Sequence, residues 1–189
     1  MIIRIFKAIS VLISLLLLFY LIWPYQPGNI EDFSSLPASY RSKLSGDTVQ
    51  VPNLKAYFSN SYRDFVIPYY LGEYMRFSRF PFKPLKLNHP PEYAFQAIKD
   101  QTQSTYLEEL TYPLRSSLFI NGLEPFDQNT KKPRYPAAGY FEEEGVNYET
   151  KVTIRYYPSG VGVRFIVWLG INISAVALYK LGRRILGNA

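Results

Sequence analysis

The chain begins and ends with an apolar run, poor in charge and long enough to cross a bilayer, and that pair of runs constrains everything else about it. The first spans residues 5–24, with the charge-free core Val11-Leu12-Ile13-Ser14-Leu15-Leu16-Leu17-Leu18-Phe19. At a rise of about 1.5 Å per residue, about 20 helical residues cover a hydrocarbon layer of about 30 Å. Lys7 lies near the start of the run, where its aliphatic stem can follow lipid while the ammonium reaches water. Tyr20, Trp23 and Tyr25 gather at the other end, as an interfacial aromatic belt does, and Pro24 is placed to stop the helix. A cleaved signal peptide would have a shorter apolar region followed by a small-x-small site. Bulky Trp23, Pro24 and Tyr25 occupy that place, so an uncleaved signal anchor fits better.

The second run spans residues 161–181 and is less pure. Arg164 stands near its start, close enough to the outer interface to snorkel. Asn172 falls at mid-span. It either faces another helix, where an interhelical hydrogen bond contributes about 1 kcal/mol, or is simply tolerated in a long apolar helix. Small residues recur at four-residue spacing in both runs: Ser10 and Ser14, then Gly170 and Ser174. Each pair falls on one helix face and permits close backbone approach, within the chain or to a partner's helices.

Charge sets the expected orientation. The 189-residue chain has a formal net charge of +6, but Arg4, Lys7, Lys180, Arg183 and Arg184 lie beside the apolar runs with no acid near them, while the middle is almost neutral. Basic flanks of this kind are cytoplasmic. The expected layout is a cytoplasmic tail (1–4), a first span (5–24), an extracytoplasmic domain (25–160), a second span (161–181) and a basic cytoplasmic tail (182–189). A nucleic-acid binder would instead concentrate its base on the folded domain, so no nucleic-acid partner is expected. The absence of cysteine removes disulfides, zinc–thiolate sites and cysteine nucleophiles. The sole N-x-Ser/Thr sequon, Asn172-Ile173-Ser174, lies within a span. Both points lean towards a bacterial cell envelope.

The middle reads as a small α+β domain with a mainly antiparallel sheet. Leu36 to Leu44 has the spacing of a short helix. Leu54, Tyr57, Phe58, Tyr62, Phe65 and Val66 recur at three- and four-residue steps, which predicts a longer helix interrupted by Pro68, with another turn or two over 69–77. Phe82 to Leu87 alternates as a strand does. Asn88-His89-Pro90-Pro91-Glu92 resembles a helix start running to Lys99. Tyr106 to Tyr112 is taken as a strand, although Thr105 and Glu108 could form a capping box. Ser116 to Ile120 should end at an Asn121-Gly122 turn, and Asp127 to Gly139 reads as an ordered loop or lid. The strongest strand is Lys151 to Tyr157. There Val152, Ile154 and Tyr156 alternate with Lys151, Thr153 and Arg155, giving one buried and one wet face.

Chemistry is sparse. His89 is the sole histidine and reads as a turn or capping residue. Glu108 and Glu109 would point to opposite faces of a strand, which makes them poor acid–base partners. Glu142-Glu143-Glu144 reads as a solvated loop that could attract Lys131-Lys132-Pro133-Arg134. No glycine-rich phosphate loop, HExxH or GxSxG is present, and no cofactor or metal is expected. The leading expectation is a non-enzymatic binding, scaffold or accessory-subunit module of the envelope. Its partners would be membrane lipid together with another membrane or envelope protein, or a second copy of itself. The alternative is a membrane-anchored hydrolase using carboxylates such as Glu108 or Glu143, with glycan as one possible substrate.

Overall fold

The computed structural model describes residues 2–23, 25–48, 52–77, 85–87 and 116–186. Two apolar helices at the termini flank, in chain order, an α+β domain built on an antiparallel sheet. The chain divides into two compact units, one formed by its two ends and one by the residues between them.

The terminal unit consists of α1, Ile2–Ile22, and α4, Val161–Leu186. Both helices leave most of their apolar side chains uncovered by protein. Only 6% of the most apolar window of each is buried, and each is long and apolar enough to cross a membrane. Pro24 lies outside the described residues.

The middle unit contains β1 (Ser39–Arg41), α2 (Ser45–Thr48), β2 (Leu54–Ser59), α3 (Arg63–Phe77), β3 (Leu85–Leu87), β4 (Ser117–Leu123), β5 (Phe141–Glu143), β6 (Val146–Tyr148) and β7 (Thr150–Tyr157). Five strands pair in the order β1-β2-β7-β4-β3, all antiparallel except the β3–β4 pair. β5 and β6 form a separate hairpin. One face of the large sheet meets α3 and the segment around residues 30–36, and the core lies between them: Phe33, Tyr57, Val66, Tyr70, Tyr74, Leu118, Ile120, Val152, Ile154 and Tyr156 are all buried. Tyrosine dominates because its ring supplies area while its hydroxyl needs only one partner. The Tyr156 hydroxyl donates to the Pro27 carbonyl at 2.9 Å, and the Tyr74 oxygen accepts from Ser116 Oγ at 2.9 Å.

Several expectations are corrected. The helix expected over Leu36–Leu44 is instead a turn leading into β1. Ala38 has φ 49 and Ser39–Arg41 pair with β2, so inter-strand bonds override a spacing that happened to look helical. The segment from Leu54 is strand β2 rather than helix. It lies between β1 and β7 and is buried along nearly its whole length, so it carries no period of two to read. The helix begins only at Arg63 and then runs through Pro68 without a break. Proline there lacks one N–H near the first turns, and the packed tyrosines beyond it outweigh that one lost bond.

Asn121-Gly122 is not a turn. It lies inside β4, facing Thr153 and Val152 of β7. β7 is a strand as expected, but it has no wet face: Lys151, Thr153 and Arg155 are all buried, because β7 is central and both its faces are covered. Glu142-Glu143-Glu144 is not an open loop. It leads through a tight turn, Glu144 at φ 51 and Gly145 at φ 78, into β6, the left-handed pair that a two-residue hairpin turn requires. The Asp127–Gly139 segment is an ordered loop, closed by the Phe126–Pro133 bridge and by Asp127 Oδ1, which accepts from the backbone N–H groups of Asn129 and Thr130. The expected helix 88–99 and strand 106–112 lie outside the described residues, and of the expected strand 82–87 only Leu85–Leu87 is described.

Candidate functional site

In the terminal unit, Arg164, Trp168 and Asn172 recur every four residues on α4 and so share one stripe of its surface. All three reach α1. Arg164 Nη1 donates to the Leu21 carbonyl, and Arg164 is only 5% exposed. Trp168 Nε1 donates to the Ser14 carbonyl at 3.0 Å. Ser14 Oγ donates to Asn172 Oδ1 at 2.6 Å, and Asn172 Nδ2 donates to the Trp168 carbonyl at 2.8 Å. Higher positions on α4 meet lower positions on α1, so the two helices run antiparallel.

Each contact has a local cause. Leu21 lies in the last turn of α1, where carbonyls lack intrahelical donors and the helix end carries partial negative charge. A guanidinium satisfies both demands. Arg164 is therefore not a snorkelling side chain but a cap on the neighbouring helix. Ser14 has a hydroxyl short enough to meet an amide across the helix contact, and Asn172 uses both halves of its carboxamide, so neither stays unbonded in apolar surroundings.

The remaining residues singled out in the spans fall elsewhere. Ser10 turns its hydroxyl to the Phe6 carbonyl of its own helix at 3.0 Å. Gly170 and Ser174 are exposed, and a Cβ added at Gly170 would meet nothing within 4 Å. Lys7, Lys180, Arg183 and Arg184 are exposed, and Tyr20 is half-buried. Trp23 stacks on Phe19 at 5.3 Å between ring centroids, while Tyr25 is 73% exposed. Trp168 was not singled out by sequence reasoning. Its signal was the four-residue step from Arg164 to Asn172.

In the middle unit, the second face of the sheet carries polar groups. Asp47 of α2 accepts at one oxygen from both Lys151 Nζ, at 2.7 Å, and Ser42 Oγ. All three side chains are buried. Asn121 and Thr153 face each other beside them. A lysine held by a carboxylate and a serine donating to that same carboxylate make a lock between α2 and β7. The Ser42 hydroxyl donates to Asp47 and so forms part of that lock.

Other charged groups, some buried and some exposed, also join elements. Glu124 accepts from both the backbone N–H and the Nε of Arg63, which ties the end of β4 to the start of α3. Lys55 donates to the Phe33 carbonyl at 3.0 Å and pairs with Glu31 at 3.2 Å. Burial alone would raise the Glu31 carboxyl, but the Lys55 and Arg41 cations outweigh it and hold the group below its ordinary value. Glu149 accepts from Lys131 and from the Tyr62 hydroxyl; these bonds lower its carboxyl. Burial, followed by that bond to a carboxylate, pushes Tyr62 up to about 12.

The acidic run of the hairpin pairs differently from expectation. Glu144 accepts from the Tyr40 hydroxyl at 2.8 Å and from Lys43, whereas Lys131 serves Glu149 and Arg134 serves Asp127. Glu143 is half-buried on β5. Among the described residues no group of three or more His, Cys, Asp or Glu could hold a metal ion. His89, Glu108 and Glu109 lie outside them.

No protein-family model matches the chain, and no significant match was found among curated proteins or solved structures.

Proposed function

We propose that this chain is a membrane protein anchored twice, with both tails in the cytoplasm, whose middle domain acts outside the cytoplasm as a non-enzymatic binding or scaffold module of a cell envelope. One observation carries the reading. The terminal helices leave their apolar surface bare, with 6% of each apolar window buried, yet hydrogen-bond to each other through Arg164, Trp168 and Asn172. The core helix of a soluble protein would be covered by its own fold. A signal sequence would account for α1 but not for α4. Bare apolar helices whose polar groups are satisfied by one another suit a hydrocarbon solvent. The basic flanks support the inward direction of both tails.

For the middle domain, the support is that its buried ionic groups are spent on joining elements. The Ser42–Asp47–Lys151 lock and the Glu124–Arg63 cap make a stiff body suited to presenting a surface.

The absence of native cysteine gives a clean topology test. Single cysteines at Ile3, Asn129 and Gly182 are labelled with a membrane-impermeant maleimide on intact cells and then on opened ones. Labelling of the Asn129 site alone in intact cells is expected, and labelling of either tail there overturns the layout. For the scaffold role, the full chain extracted in mild detergent should migrate on native gels as a defined complex. A solitary monomer at every detergent concentration would remove that role.

A further inference from the structure

The same helix pair carries a groove and a charge cluster that together suit one kind of ligand. The groove is a shallow, largely open hollow of about 430 Å3 on one side of α4, lined by Asn172, Ile173, Val176, Ala177 and Lys180. Its walls are apolar between the Asn172 amide at one end and the Lys180 ammonium at the other. From Asn172 to Lys180 a helix rises about 12 Å, comparable to a stretch of about ten methylenes.

Beyond Lys180, positions three and four residues on carry Arg183 and Arg184, so the groove leads directly onto two more cations. α1 brings further charge to this end. Ser14 meets Asn172, and the helices are antiparallel. Counting from that contact, Lys7 lies about 10 Å along α1 and Lys180 about 12 Å along α4 in the same direction. Arg4 falls near the level of Arg183. Five exposed cations therefore gather at one end of the pair, and neither residues 1–30 nor 159–189 contain an acid to neutralise them.

We propose that this end of the helix pair is a binding site for an anionic phospholipid: one acyl chain lies in the Ile173–Val176–Ala177 groove, and the headgroup phosphate meets Lys180, with Arg183 and Arg184 beyond it. The occupant is identified by the order of the chemistry. An apolar channel that opens onto cations at the level of a basic membrane flank matches a molecule with an anionic head and a hydrocarbon tail. A soluble phosphate would use the cations but leave the groove empty. This inference rests on the membrane reading above.

The test uses the full chain reconstituted in nanodiscs of phosphatidylcholine containing one-fifth phosphatidylglycerol. Carbonate-resistant insertion in liposomes is scored first, because its failure refutes the membrane reading itself. Native mass spectrometry after release then counts retained lipids. One phosphatidylglycerol per chain, enriched over phosphatidylcholine, is expected. Lys180→Gln should lower that enrichment about fivefold, the worth of one basic residue at a membrane surface. Ala177→Phe, which fills the groove, should reduce retention while leaving the cations intact. Ser174→Phe, outside the groove, serves as the control for bulk and should change nothing. An inserted chain without phosphatidylglycerol enrichment overturns the proposal. So does enrichment that survives both Lys180→Gln and Ala177→Phe, or that inorganic phosphate competes away, since that marks a headgroup-only site for soluble anions.

Discussion

The terminal helices and the middle domain use the same kinds of residue in opposite ways. In the middle domain, apolar and aromatic side chains turn inward: Tyr57, Tyr70, Tyr74 and Tyr156 are each 1% exposed or less, and the charges of Asp47 and Lys151 enter the interior as a pair. In the helix pair, most large apolar side chains face outward, with Phe6 at 64% and Ile166 at 68% exposed, while the polar Arg164 is buried, at 5%. The difference supports the proposal that the helix pair takes hydrocarbon, and the middle domain water, as its solvent. Water drives apolar surface inward, whereas a hydrocarbon surrounding leaves apolar surface where it is and drives unsatisfied polar groups together.

Six measurements break or sharpen that contrast, and the largest effect belongs to the middle domain. Asp47→Ala leaves Lys151 buried without its carboxylate, and removal of one partner of a buried pair costs about 3–5 kcal/mol. Urea unfolding of the purified chain followed by tyrosine near-ultraviolet signal should show it; a loss under about 1 kcal/mol would mean that water reaches the pair. Ile154→Ala opens the core where the sheet meets α3 and should cost about 2–5 kcal/mol by the same assay.

In the helix pair smaller effects are expected on the membrane proposal, where apolar contact competes with lipid of equal character. Arg164→Ala removes the charged donor at the Leu21 carbonyl and should cost about 1.5–3 kcal/mol. It is read as loss of crosslinking between cysteines placed at Leu18 and Val167. Asn172→Leu should cost about 1 kcal/mol or less by the same readout. Were Asn172→Leu to cost more than Asp47→Ala, the assignment of solvents to the two regions would be reversed.

The smallest effect is one of pH. The Glu149 carboxyl is lowered in the folded state from an ordinary 4.5, chiefly by its bond from Lys131. The stability that this group supplies is present above pH 4.5 and is lost as pH falls through the lowered value. Glu149→Gln should flatten the acid limb of the stability curve slightly. Tyr62 behaves in the opposite sense. It is raised from 10.0 to about 12, first by burial, so its contribution holds below pH 10.0 and fades as pH climbs towards 12. Its ionisation, followed at 295 nm as the absorbance change lost in Tyr62→Phe, should fall near pH 12.

The helices run Ile2–Ile22 and Val161–Leu186 where 5–24 and 161–181 were expected, but the two apolar ends, their basic flanks and the absence of cysteine are properties of composition along the chain. They needed no tertiary contact, because a run of about 20 uncharged apolar residues bonds its own backbone as a helix whatever surrounds it. β7 was legible as a strand for a similar reason, since alternation is a local pattern. The structure alone decided that Leu54–Ser59 is a strand, that Asn121-Gly122 continues β4, and that Lys151 and Arg155 are interior. Each of these depends on a partner far along the chain: β2 on β7, Gly122 on Val152, Lys151 on Asp47. Arg164 shows the same limit in the helix pair. Its position near a span end was visible in the sequence, but its role as a cap follows only from the Leu21 carbonyl, 143 residues away. Local pattern sets what a segment can form, and inter-strand bonds and buried charge pairs between distant segments select among those forms, because their free energy exceeds the fraction of a kcal/mol per residue that separates helix from strand.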